Sequence, residues 1–112
     1  MNPPDWKDIW NYRPAPSALD LESAIRLAGF DVGLGAETPE GFMHYVGKVL
    51  QYIRVCNSDQ IIEFGCGSGV FLHCLQSLTG CSVTGIDYSA QLTDFAREFV
   101  DGEYRFSVFV HK

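Results

Sequence analysis

Hydrophobic positions along this chain fall into short blocks with two different periods. Leu21, Ala24, Ile25 and Ala28 recur at helical spacing and Gly29 closes the run, which predicts a helix within Asp20–Phe30. Thr38-Pro39-Glu40 reads as a second helix start: a hydroxyl cap, a proline at the first helical position and an early acid. Phe42, Val46, Val49, Leu50 and Ile53 then form an apolar stripe that belongs in a core, with His44 off it and solvated. Asn57-Ser58-Asp59 is a turn, and Ile61, Ile62 and Phe64 make Gln60–Phe64 a short buried strand. A third helix spans about Gly69 to Leu78, with Phe71, Leu72, Leu75 and Leu78 buried and Gly80 as its stop. Ser82–Ile86 is a second strand. Ser89 caps a helix over Ala90–Val100 that buries Leu92, Phe95, Ala96 and Phe99, and after Asp101-Gly102 the stretch Tyr104–Val110 is a third strand.

The join between the first strand and the third helix carries the candidate chemistry. Glu63 ends the strand, and Gly65, Gly67 and Gly69 follow at alternating positions. Strand, glycine turn and helix together bring bare backbone N–H groups to a helix N-terminus, where a small polar ligand meets no Cβ. Twenty residues beyond Gly67, at the end of the second apolar run, stands Asp87. A carboxylate there can accept both hydroxyls of a ribose. A dinucleotide fingerprint would need glycine or alanine at position 70, which is valine, so a nicotinamide or flavin reading is disfavoured.

The acidic-x-G-x-G-x-G pattern of EFGCGSG, with VTGIDYS downstream, resembles the first two motifs of the class I S-adenosylmethionine-dependent methyltransferases. The resemblance covers most of residues 5–108. It implies that the turn at Gly65, Cys66, Gly67 and Gly69 wraps the methionine portion and sugar of S-adenosylmethionine. Glu63 would lie under the cofactor's amino-acid end, Asp87 would hold the ribose hydroxyls, and Tyr88 would lie beside the adenine. The charges agree, because the cofactor has a cationic sulfonium and ammonium, which suit carboxylates. No residue is identified as a catalytic base, and the methyl acceptor is not specified.

Composition bounds the alternatives. The 112 residues allow one small domain, 46% hydrophobic and 20% charged. A net charge of −6 with no basic cluster argues against a nucleic-acid or anionic-membrane partner. No apolar run approaches the roughly 20 residues that span a bilayer, and the N-terminus lacks the regions of a signal peptide, so a cytoplasmic protein is expected. Cys56, Cys66, Cys74 and Cys81 form no C-x-x-C pair and have no histidine at metal-ligand spacing, so no metal site is expected. Cys66 lies within the turn, but no histidine stands near it in sequence to activate it.

The expected fold is α/β: a Rossmann-like parallel sheet of three strands in the order 3-2-1 with flanking helices, a partial class I methyltransferase fold. Residues 1–55 would form an N-terminal helical segment and residues 56–112 the partial S-adenosylmethionine-binding core, together one structural domain. Trp6, Ile9 and Trp10 share one side of a short amphipathic turn, either a packing helix or, by family architecture, a lid. The glycines of Asp31–Glu37 suggest backbone freedom near a mouth or hinge. Family members continue with further strands on the free side of strand 1, which supply most of the acceptor pocket. The chain therefore reads as the cofactor-binding portion of a methyltransferase, inactive as it stands. The alternative is a non-catalytic S-adenosylmethionine-binding or interaction module. On either reading the strand 1 edge would pair with a second copy or with a missing C-terminal half.

Overall fold

The computed structural model describes residues 18–30 and 37–106. The readings of the Trp6–Trp10 turn, of residues 31–36 and of the strand beyond Phe106 lie outside the described residues. Among the described residues four helices and three strands follow in the order α1 (Leu21–Leu27), α2 (Pro39–Val49), β1 (Gln60–Phe64), α3 (Val70–Thr79), β2 (Ser82–Asp87), α4 (Ala90–Phe99) and β3 (Glu103–Phe106).

Local chemistry sets the helix ends. Asp20 Oδ1 accepts from the Ser23 N–H at 2.8 Å, and Thr38 Oγ1 accepts from the Gly41 N–H at 3.0 Å with Pro39 beginning the helix. Ser89 caps α4 by accepting from the Leu92 N–H at 3.3 Å. Helix α3 has no side-chain cap. It begins at Gly69, whose left-handed φ of 86° takes the chain out of the turn, and ends at Gly80, φ 74°.

The sheet is parallel, with strand order β1-β2-β3. Gln60 pairs with Ser82 and Phe64 with Ile86 at the two ends of the β1–β2 ladder. Along β2, Val83, Gly85 and Asp87 are buried while Ser82, Thr84 and Ile86 are not, so one face of the sheet is covered and the other is open. Parallel crossovers through α3 and α4 put both helices on that covered face. Leu72, Cys74 and Leu75 of α3, Phe95 and Ala96 of α4 and Val83 of β2 meet there, and Ile25, Leu27, Phe42 and Val46 of α1 and α2 extend the same core. Each large side chain so buried contributes about 1.5–3 kcal/mol.

The α/β class and the parallel sheet are as the sequence predicts, but three burial expectations are not met. Gln60–Phe64 is not a buried strand: Ile62 is 58% and Phe64 70% exposed, because both point to the open face and β1 has a neighbour on one side only among the described residues. Ile53 is exposed because α2 stops at Val49 and the stripe leaves the helix with it. Leu78 lies at the solvent side of the last turn of α3 and is exposed.

Candidate functional site

The carboxyl ends of β1 and β2 open into a cavity of about 370 Å³. Glu63, Gly65, Cys66, Gly67, Asp87 and Tyr88 line it, so six of the seven site residues read from the sequence come together. Gly69 does not. A Cβ there would stand 3.1 Å from Val100 Cγ2 and 3.3 Å from Ala96 Cβ, so this glycine lets the turn pack against α4. Gly65 and Gly67 differ from it: both have positive φ, 76° and 57°, and a Cβ built on either meets nothing within 4 Å. Their bare Cα atoms border open space.

The turn is tied down by its own amides. The N–H groups of Gly65 and Cys66 both donate to Ile86 O, at 2.6 and 3.1 Å, and that of Gly69 donates to Cys66 O at 3.0 Å. The Gly67 N–H donates to Asp87 Oδ2 at 2.9 Å, and Asp87 Oδ1 accepts the Ser89 N–H at 2.9 Å. The expectation of bare N–H groups is therefore corrected at these four positions. A phosphate would need free donors there; the second strand, its terminal aspartate and the turn's own Cys66 carbonyl have taken them.

Acidic groups dominate the cavity floor instead. Glu63 Oε1 is buried and has no hydrogen-bond partner among the described residues. Burial, reinforced by the negative charge of Asp87, pushes the Glu63 carboxyl up to about 7. Burial also pushes the Cys66 thiol up to about 12, with Asp87 and Glu63 adding to the effect, so no thiolate forms at neutral pH. Its Sγ lies 3.6 Å from Gly67 O. Neither histidine of the helices lines the cavity: His44 is exposed on α2 and His73 stacks on Phe99 with ring centres 4.4 Å apart.

Aromatic walls complete the site. Phe30, just past α1, and Phe42 of α2 lie 5.5 Å apart between ring centres and face the cavity with Ala28, Val70, Phe71 and Leu92. Sequence reading placed Phe42 in the core stripe and did not single out Phe30. Phe42 is in fact both, 7% exposed in the core and part of the wall. What holds the wall in place is Ser68, fully buried, whose hydroxyl donates to Ala24 O at 2.6 Å and ties the glycine turn to α1. Nothing in the chain pattern announced that bond, which joins residues 44 apart.

Among the described residues no three His, Cys, Asp or Glu side chains are grouped to hold a metal ion, and no helix is long and apolar enough to cross a membrane.

Residues 61–112 match the family of methyltransferase domains. No curated protein sequence matches the chain. Among solved structures, the fold is similar to a SAM-dependent methyltransferase from Thiobacillus denitrificans in complex with S-adenosyl-L-homocysteine, at 24% identity over 78% of this chain and 34% of that one, with a TM-score of 0.56. It is similar to YjhP from E. coli at 23% identity over 70% and 34% of the two chains, TM-score 0.52. Geranyl diphosphate methyltransferase in complex with SAM matches at 23% identity over 58% and 29%, TM-score 0.50. At these identities the likeness is one of fold. The aligned region is about a third of the length of each of these proteins. Residues 61–112 thus match a methyltransferase domain in sequence, and the fold of the chain is similar to that of the SAM-dependent methyltransferase from Thiobacillus denitrificans.

Proposed function

We propose that the cavity binds S-adenosylmethionine and that the chain is the cofactor-binding portion of a methyltransferase. The observation that carries this reading is the acidic floor. Glu63, whose buried Oε1 has no partner among the described residues, and a second acid, Asp87, line a space bordered by two glycines that leave it open. Such a site suits a ligand that brings positive charge and hydrogen-bond donors. When bound, S-adenosylmethionine supplies a methyl group on a cationic sulfur, open to in-line attack by an acceptor.

The chain's own residues would bind and orient. An ionised carboxylate has about four lone-pair sites, and the Gly67 and Ser89 amides use two of those on Asp87. The remainder can accept ribose hydroxyls. Tyr88, next along, flanks the cavity where the adenine would lie, and Glu63 serves the cationic amino-acid end. Gly65, Cys66 and Gly67 give the ligand a wall without side-chain bulk, while Gly69 supports the turn from behind. Phe30, Phe42 and Phe71 exclude water from the other side, which strengthens every charge interaction inside. Positioning is the catalytic contribution expected of such a site.

In this reading residues 1–55 form the helical segment and 56–112 the partial core. A second reading is a module that binds S-adenosylmethionine without transferring its methyl group. Titration calorimetry of the full chain decides the first point. Binding of S-adenosylmethionine or S-adenosylhomocysteine supports the cofactor assignment, whereas NAD binding in their place refutes it. Methyl transfer by the 112-residue chain itself would eliminate the non-catalytic module.

A further inference from the structure

Glu63 stands where β1 meets the glycine turn, half-buried, with Oε1 unpartnered among the described residues. The described residues that line the cavity with it bring no compensating positive charge. Asp87 comes from the end of β2, Cys66 from the turn and Tyr88 from the approach to α4; α1 and the residue past it contribute Ala28 and Phe30, α2 Phe42, α3 Val70 and Phe71, and α4 Leu92. Among the described residues no lysine, arginine or histidine lines the cavity. Among the described residues the free site therefore contains two carboxyl groups, a thiol that stays neutral and no cation. Asp87 already receives two backbone amides, one on each oxygen. Glu63 Oε1 receives none among the described residues.

We propose that a cationic ligand entering this cavity drives the Glu63 proton out to solvent. The inference rests on the S-adenosylmethionine reading above and deepens it. The balance is simple: the neutral carboxylic acid loses H⁺ to buffer, and the carboxylate left behind is neutralised by the ligand's cation, so the floor keeps its charge within the buried space. Burial holds the Glu63 carboxyl at about 7 in the free chain, and an adjacent cation draws it down. Proton release is then largest below neutrality, where the free site is mostly protonated. Affinity rises by up to about tenfold per pH unit as pH climbs toward 7 and levels off above it. Two positive groups of the ligand could be responsible. S-adenosylmethionine carries a sulfonium and an ammonium; S-adenosylhomocysteine keeps only the ammonium.

The test is titration calorimetry of the full chain at pH 6.5, in three buffers of different protonation enthalpy. The slope of apparent enthalpy against buffer enthalpy counts protons released. Between about half a proton and one proton is expected with S-adenosylmethionine. Equal release with S-adenosylhomocysteine assigns the effect to the ammonium, and markedly smaller release assigns it to the sulfonium; both outcomes support the proposal. Glu63→Gln should bind more weakly above pH 7, release close to no proton and lose the pH dependence. Binding by the wild-type chain without proton release overturns the proposal while leaving the cofactor assignment intact, as does undiminished release by a folded Glu63→Gln. Failure to bind either compound removes the cofactor assignment and the proposal together. The wild-type buffer series stands alone if the variant does not fold.

Discussion

The amide of Gly67 donates to Asp87 Oδ2 at 2.9 Å, joining the middle of the glycine turn to the end of the neighbouring strand across 20 residues of chain. With Ser89 N–H on Oδ1, the same carboxylate also starts α4. Asp87 is thus a structural acceptor before any ligand arrives.

Replacing Asp87 should therefore lower stability as well as affinity. Asp87→Ala leaves the Gly67 and Ser89 amides without their acceptor, at about 1–3 kcal/mol for each donor that water cannot reach. Asp87→Asn keeps one carbonyl oxygen and should lose less stability than Asp87→Ala. Urea unfolding of the two variants, paired with calorimetric binding of S-adenosylmethionine, gives the comparison. Equal stability of Asp87→Ala and wild type would contradict the observed bonds.

The three glycines of the turn should separate under alanine substitution. At Gly65 and Gly67 the added methyl meets open cavity, so the cost is left-handed backbone strain of about 1–2 kcal/mol plus lost space for ligand. At Gly69 the same strain adds to a methyl 3.1 Å from Val100 Cγ2 and 3.3 Å from Ala96 Cβ. Gly69→Ala should be the least stable of the three, and Gly67→Ala should lose more affinity than its stability change explains. Thermal melts and binding isotherms on the same preparations check both orders.

The raised carboxyl of Glu63 has a stability signature without any ligand. Its folded value of about 7 lies above the ordinary 4.5, so the folded state holds more protons than the unfolded one in that interval. Stability contributed by the neutral acid is complete below pH 4.5, falls as pH rises, and is lost above about 7. Glu63→Gln should therefore match wild type near pH 5 and exceed it at pH 8, by an amount on the order of 1–3 kcal/mol. Denaturant midpoints at the two pH values measure it. A variant equally displaced at both would assign the effect to packing.

Much of this arrangement was legible in residue order because it depends on local chemistry. Asp20, Thr38 and Ser89 each cap a helix with their own side chain, and EFGCGSG with VTGID marks two strand ends and the turn between them. What was not legible depends on distant partners. The apolar letters of Ile62 and Phe64 say nothing about which face a helix covers, so their exposure could not be read. The Ser68 hydroxyl on Ala24 O and the Phe30–Phe42 pair depend on how α1 and α2 fold back over the turn. The amides of Gly65, Cys66 and Gly67 looked free because their acceptors, Ile86 O and Asp87, lie on another strand.

The open side of β1 leads to the last prediction. Ile62 and Phe64 project from a strand paired only with β2 among the described residues, and Ile86 stands beside Phe64 in register on the same face. Leaving such side chains wet forgoes about 1.5–3 kcal/mol apiece, and the unpaired row of N–H and C=O groups at the edge offers a template for another strand. A small chain has little stability in reserve against such losses. The 112-residue chain is therefore expected to self-associate through β1 at micromolar concentration. The double variant Ile62→Thr, Phe64→Thr keeps β-branched residues on the strand and removes most of the apolar surface, so it should sediment with a smaller average mass. Equal monomeric sedimentation of both proteins at high micromolar concentration would show that the β1 edge is covered within the chain, and the association would be ruled out.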